Sequence, residues 1–125
     1  MFGGQLPVQV RVAVDANDDS AVAVDLLVVY DEKLLADLLK TPASDWFAKK
    51  KQIVADHPDG VSVQGWEWVP GQPVEPVNIE YRSGARRIVI FADYNTDGQH
   101  RAAVAPQQPF QLTLGKDDLS VEVMQ

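Results

Sequence analysis

Four valines at every second position, Val8, Val10, Val12 and Val14, alternate with Gln9, Arg11 and Ala13. A two-residue period is that of a strand with one buried face. The turn formers of "DANDDS" (Asp15 to Ser20) break it, and "AVAVDLLVVY" (Ala21 to Tyr30) resumes as a longer, β-branched strand. Together these segments predict a hairpin with a protruding polar loop.

The period then changes. Leu34, Leu35, Leu38 and Leu39 form one apolar stripe on a short helix, with Asp31 placed to cap its N-terminus. Thr41 and Pro42 suit an N-cap and first-turn proline for a second helix. Phe47 and Val54, with Trp46 and Ile53 beside them, give that helix its buried face, and Lys49 to Lys51 its solvated side. "HPDG" (His57 to Gly60) ends it, so the helical insertion covers about residues 31–56.

Strand patterning dominates from there to the C-terminus. In "VSVQGWEWV", Val61 and Val63 keep one phase, and Trp66 and Trp68 take the other after Gly65, which predicts a bulge at the glycine. Pro70-Gly71 is a turn, because proline presets φ and glycine accepts φ > 0. "VNIEY" (Val77 to Tyr81) and "RRIVIFADY" (Arg86 to Tyr94) flank "RSGA", a predicted tight hairpin. "HRAAVAP", "FQLTLG" and "LSVEV" add three short strands, separated by "PQQP" and "KDD". About eight strands with turn signals between them, plus one helical excursion, predict a mostly β chain, an antiparallel sandwich in a single domain over residues 1–125.

Composition removes several classes of function. A chain of 125 residues with a net charge of -7 has scattered basic residues apart from Lys49-Lys50-Lys51 and Arg86-Arg87. Counterion release from a phosphate backbone needs a concentrated basic surface, so nucleic acid is not an expected partner. The absence of cysteine removes disulfides, thiolate nucleophiles and zinc–cysteine sites. No apolar run reaches the roughly 18 residues of a membrane span. The opening "MFGGQLPV" suits a chain that begins just downstream of an export signal, and equally a short cytoplasmic start.

Candidate chemistry is sparse. "DYNTDG" (Asp93 to Gly98) opens like a calcium loop, yet the twelfth position, where a bidentate carboxylate belongs, is Val104. "DANDDS", counted from Asp15, reaches Leu26 there. Both read as Asx-rich turns, and no metal or cofactor is expected. His57 and His100 read as ordinary surface imidazoles. No serine lies in a nucleophile elbow, no glycine-rich phosphate loop opens a helix, and no carboxylate pair stands out by spacing, so no catalytic residues are assigned. Trp66 and Trp68 share a strand face. Exposed, they would stack on sugar rings and make the chain a carbohydrate- or small-ligand-binding module. The favoured reading packs them against Trp46 and Phe47 of the preceding helix.

The order of these parts resembles the TssJ-type outer-membrane lipoproteins of bacterial type VI secretion systems, from about Val8 to Val123. The matching features are the opening strand, the "DANDDS" loop, and the strand "AVAVDLLVVY" feeding "DEKLLADLLKTPASDWF". Pro70-Gly71, "VNIEYRSGARRIVIFADY" and "HRAAVAP" complete them, with Gln99-His100 where the family has an aromatic. The resemblance implies a transthyretin-like sandwich with an added helical element and no catalysis. It implies a lipidated cysteine upstream of Met1, anchorage to the inner leaflet of the outer membrane, and a periplasmic location. It further implies an adaptor that binds the periplasmic C-terminal region of TssM, and through it TssL. The family's contact loop corresponds to Asn17, Asp18, Asp19 and Ser20. Read from the residues alone, that loop is either a docking tip or a solvated turn.

Overall fold

The computed structural model describes residues 3–124; the start at Met1 lies outside them. In chain order the elements are β1 (Gly3–Val12), β2 (Val22–Val29), α1 (Glu32–Leu38), α2 (Ala43–Asp56), β3 (Val61–Trp68), β4 (Val77–Arg82), β5 (Arg87–Asp93), β6 (Arg101–Val104), β7 (Phe110–Leu114) and β8 (Leu119–Val123). They build two four-stranded sheets, ordered β4-β1-β7-β8 and β3-β2-β5-β6. The expected eight-stranded, mostly β sandwich with helices after the second strand is therefore present. Its pairings are antiparallel with one exception, β1 beside β7, where Val10 lies opposite Leu112.

Burial explains the partition into sheets. In β1 and β4 mainly alternate residues are shielded, the signature of strands covered on one side. In β2 and β5 nearly every residue is buried, because one face meets the opposing sheet and the other lies under the helices. Val22, Val24, Leu26, Ile88 and Ile90 point into the sandwich, where Leu6, Val8, Ile79, Phe110 and Leu112 meet them. Leu27, Val29, Val89 and Phe91 point the other way, against Leu34, Leu38, Ala43 and Trp46.

Two expected hairpins are corrected by this arrangement. β1 and β2 do not pair, nor do β4 and β5; each connection crosses from one sheet to the other. β2 and β5, buried on both faces, pair with each other under the helices, whereas β1 and β4, covered on one face, pair in the other sheet. The crossing after β1 runs through three consecutive left-handed residues, Asn17 (φ 48°), Asp18 (φ 50°) and Asp19 (φ 65°), a conformation that Asn and Asp tolerate best among residues with a Cβ. Val14, expected on the buried face of the first strand, lies beyond its end and is 83% exposed.

The bulge at Gly65 is likewise absent. β3 pairs with β2 without a slip, from Val22 opposite Trp68 to Val29 opposite Val61. The change of phase has another cause: Val61 and Val63 lie under the helices, whereas Trp66 and Trp68 face the sandwich interior. The glycine is needed for a neighbour instead. A Cβ there would stand 2.6 Å from Oδ1 of Asp25, its cross-strand partner.

Asp25 is a carboxylate buried in an otherwise apolar strand. Its Oδ2 accepts from the Trp46 indole nitrogen at 2.9 Å and from Lys50 Nζ at 3.0 Å. Lys50 therefore faces the sheet and is not part of a solvated lysine run. The inward side of α2 is Ala43, Trp46, Phe47, Lys50 and Ile53, while Val54 is exposed. Trp46 stacks on Phe91, with ring centroids 5.4 Å apart, and the second sheet separates it from Trp66 and Trp68, so the expected four-ring cluster does not form. Asp31 caps α1 as expected, accepting from Leu34 N at 2.8 Å. Pro42, not Thr41, occupies the N-cap of α2; the Thr41 hydroxyl turns back to donate to the Asp37 carbonyl.

Candidate partner-binding tip

Topology brings three loops to one end of the sandwich: the arch from β1 to β2, the β5–β6 loop and the β7–β8 loop. Asn17, first of the expected contact residues, is 1% exposed and acts as the arch's internal tie. Its Nδ2 donates to the Ala21 carbonyl at 2.9 Å, and its Oδ1 accepts from Asn95 N of the β5–β6 loop at 2.8 Å. The backbone N–H groups of Asn17 and Asp18 donate to Gly115 O and Lys116 O of the β7–β8 loop, each at 3.2 Å. A buried amide with both ends satisfied holds its loop in one shape. Asp18 and Asp19 are exposed and Ser20 is half-buried. The four positions therefore divide into one that builds the arch and three that the arch presents.

The other two loops are bound to each other. Thr96 Oγ1 donates to Asp117 O at 3.1 Å, and Tyr94 Oη donates to Gly115 O at 2.9 Å. Burial, followed by the nearby Asp118 carboxylate, pushes the Tyr94 phenol well above its ordinary pKa, so it remains a donor throughout the neutral range. His100, read from sequence as a surface imidazole, is buried (6% exposed), stacked on Tyr94 with ring centroids 4.9 Å apart, and bonded to Asp118. The helical insertion is tied to the same loop: Ala43 N donates to Gln99 O at 2.8 Å and Arg101 Nη1 to Thr41 O at 2.6 Å. "DYNTDG" is thus the β5–β6 connection wrapped around His100, and among the described residues no group of three or more His, Cys, Asp or Glu side chains is placed to share a cation.

Exposed Asp18, Asp19, Asp97, Asp117 and Asp118 share this end with Lys116. Such a surface favours a basic partner and sets orientation through charge. A second feature, a cleft of about 580 Å³ lined by residues including Tyr30, Gln64, Tyr81 and Arg82, lies at the opposite end. There the Arg82 guanidinium covers the Tyr30 ring at 4.0 Å. Trp68 is buried and Trp66 half-buried, stacked on each other at 5.5 Å and packed into the sandwich, so they form no open platform for a sugar ring. What sequence reasoning missed was His100 and the Asp25–Trp46–Lys50 group. A charged residue inside a strand apolar on both faces was the available signal for the second.

No protein-family model matches the sequence, and no curated protein matches it. Solved structures share the fold. The type VI secretion lipoprotein TssJ1 from Pseudomonas aeruginosa matches with a TM-score of 0.73 and 13% identity, over 99% of this chain and 98% of that one. Serratia marcescens Lip, a membrane bound component of the Type VI Secretion System, matches with a TM-score of 0.75 and 13% identity, over 97% of each chain. A chain in the structure of the TssM C-terminal domain (869-1107) from EAEC matches with a TM-score of 0.65 and 14% identity, over 98% of each. Across nearly its whole length, the chain has the fold of the type VI secretion lipoproteins that its order of parts resembles.

Proposed function

We propose that the chain is a non-catalytic adaptor of a type VI secretion membrane complex. It is tethered at the outer membrane by a lipid anchor preceding β1, lies in the periplasm, and binds the periplasmic C-terminal region of TssM, and through it TssL, with the three-loop tip. The observation that carries this reading is the polarity of β1. The strand starts at Gly3 beside Arg82 and ends at Val12 beside Leu114, where the arch begins. At about 3.3 Å per residue, a strand of this length sets the two ends roughly 30 Å apart. An anchor attached ahead of Gly3 would thus hold one end at the membrane and present Asp18 and Asp19 at the other.

The fold supports the same assignment. A further match at 15% identity, with a TM-score of 0.64 over 98% of each chain, comes from a structure described as a type VI membrane complex, the kind of assembly in which such an adaptor would sit. The alternative of a sugar-binding platform at Trp66 and Trp68 has no supporting observation.

The test is a calorimetric titration of this chain with the periplasmic region of a TssM from the same organism. Saturable binding is expected, weakened in Asp18→Asn/Asp19→Asn, whose side chains tolerate the same left-handed backbone. Alanine at Asn17 is a poor probe of contact, because it removes the buried ties to Ala21 and Asn95. No measurable binding by the folded wild-type chain would refute the adaptor reading.

A further inference from the structure

We propose that a proton on His100 holds the docking end in one shape: the imidazolium clasps the β5–β6 loop to the β7–β8 loop, and losing the proton loosens the arch that presents Asp18 and Asp19. This concerns the regulation of the tip assigned above and rests on that assignment for its biological use.

The geometry demands two donors. Nδ1 lies 2.9 Å from Asp118 Oδ1, and Nε2 lies 2.9 Å from the Thr96 carbonyl oxygen. A neutral imidazole has one N–H and one lone pair, and neither oxygen can supply a proton to the bare nitrogen. The Thr96 hydroxyl is 3.4 Å from Nε2 but donates to Asp117 O at 3.1 Å. Only the doubly protonated ring satisfies both oxygens.

The surroundings are acidic. Asp117 and Asp118 come from the β7–β8 loop, Asp97 from the ring's own loop, and Asp93 from the end of β5, with Tyr94 stacked on the ring. The start of α2 contributes Ala43 and Ser44 to the adjoining cleft, neither of them charged. Lys116 belongs to the β7–β8 loop, and Arg101 is turned to Thr41 O and Gln99 Oε1. Burial opposes the charge on His100, but the Asp118 carboxylate and the Thr96 carbonyl outweigh it, so the pKa stands above 6.5. A raised folded-state pKa contributes stability that is complete below about 6.5 and is lost as pH rises through the folded value.

The clasp reaches the arch through short connections. Asn17 N and Asp18 N hang on Gly115 O and Lys116 O of one clasped loop, and Asn17 Oδ1 on Asn95 N of the other. Nuclear magnetic resonance of the isolated chain tests this without a partner, so failure of the clasp is separable from failure of docking. The His100 ring is expected to titrate above 6.5. Amide-exchange protection at Asn17, Asp18 and Asn95, corrected for intrinsic rate, should fall across that titration. The fall should reach at most about tenfold for each pH unit by which the ring's midpoint exceeds 6.5. Asp118→Asn keeps an acceptor for Leu119 N and removes the charge; it should lower the His100 pKa and move the loss of protection to lower pH. A wild-type ring that titrates at or below 6.5, or equal protection of those amides at pH 6 and 8.5, overturns the proposal whether or not the variant folds.

Discussion

Replacing Trp46 with alanine is expected to destabilise the chain by about 3–5 kcal/mol, measured by urea unfolding of the variant against the wild type. The indole is fully buried, stacks on Phe91 and fills the layer between α2 and the second sheet. Its removal empties that volume and also takes a donor from Asp25 Oδ2. The two contributions separate by substitution. Trp46→Phe keeps a six-membered ring against Phe91 but loses the indole N–H and part of the indole's volume, so about 1–3 kcal/mol is expected. Asp25→Asn keeps an acceptor for the indole and surrenders the ion pair with Lys50. Because the Lys50 side chain is 42% exposed, water screens that pair and the expected cost is under about 1 kcal/mol. If Asp25→Asn proved as damaging as Trp46→Ala, the charge, and not the packing, would be what docks α2.

Charge reversal at the tip, Asp18→Lys/Asp19→Lys, should weaken the proposed binding to TssM by roughly 10- to 100-fold at low salt, about 1.4–2.8 kcal/mol. The side chains are exposed, so the effect should fall mainly on the association rate and shrink as the Debye length drops from about 10 Å at 0.1 M salt to 3 Å at 1 M. Lysine tolerates the left-handed backbone of Asp18 and Asp19 less well than aspartate, so some loss of thermal stability is expected too, and binding is compared where both proteins are fully folded. A reversal variant that bound with wild-type rate and salt dependence would remove electrostatics from the contact.

Much of this fold was legible in the residues. The two-residue period marked β1, the leucine stripe and Asp31 placed α1, and the insertion over 31–56 matches two helices. Pairing was less legible, because adjacency in sequence suggests hairpins and the discriminating quantity is two-sided burial. "AVAVDLLVVY" is apolar on both faces apart from Asp25 and "RRIVIFADY" is unbroken apolar from Ile88 to Ala92, whereas "LPVQVRV" and "VNIEY" alternate. Weighed together, those patterns pair β2 with β5 under the helices and send β1 and β4 to the other sheet.

At the tip, the residues marked "DANDDS" as a polar loop, not as a crossing between sheets, and could not divide its members. Asn17 and Asp18 are neighbours of similar chemistry, and only the crossing between sheets buries one and exposes the other. His100 was illegible for a related reason: its partners, Asp118 and the Thr96 carbonyl, meet it only once β6 has returned beside β5 and the β7–β8 loop closes over it.

A hydrogen-exchange footprint of the chain with and without the TssM periplasmic region tests the proposed engagement of the partner by this end and no other surface. Slowed exchange should centre on residues 15–20 and extend to 95–98 and 115–118, leaving the cleft around Tyr30 and Arg82 unchanged. Protection confined to that cleft or to α2, with the arch unaffected, would contradict the account.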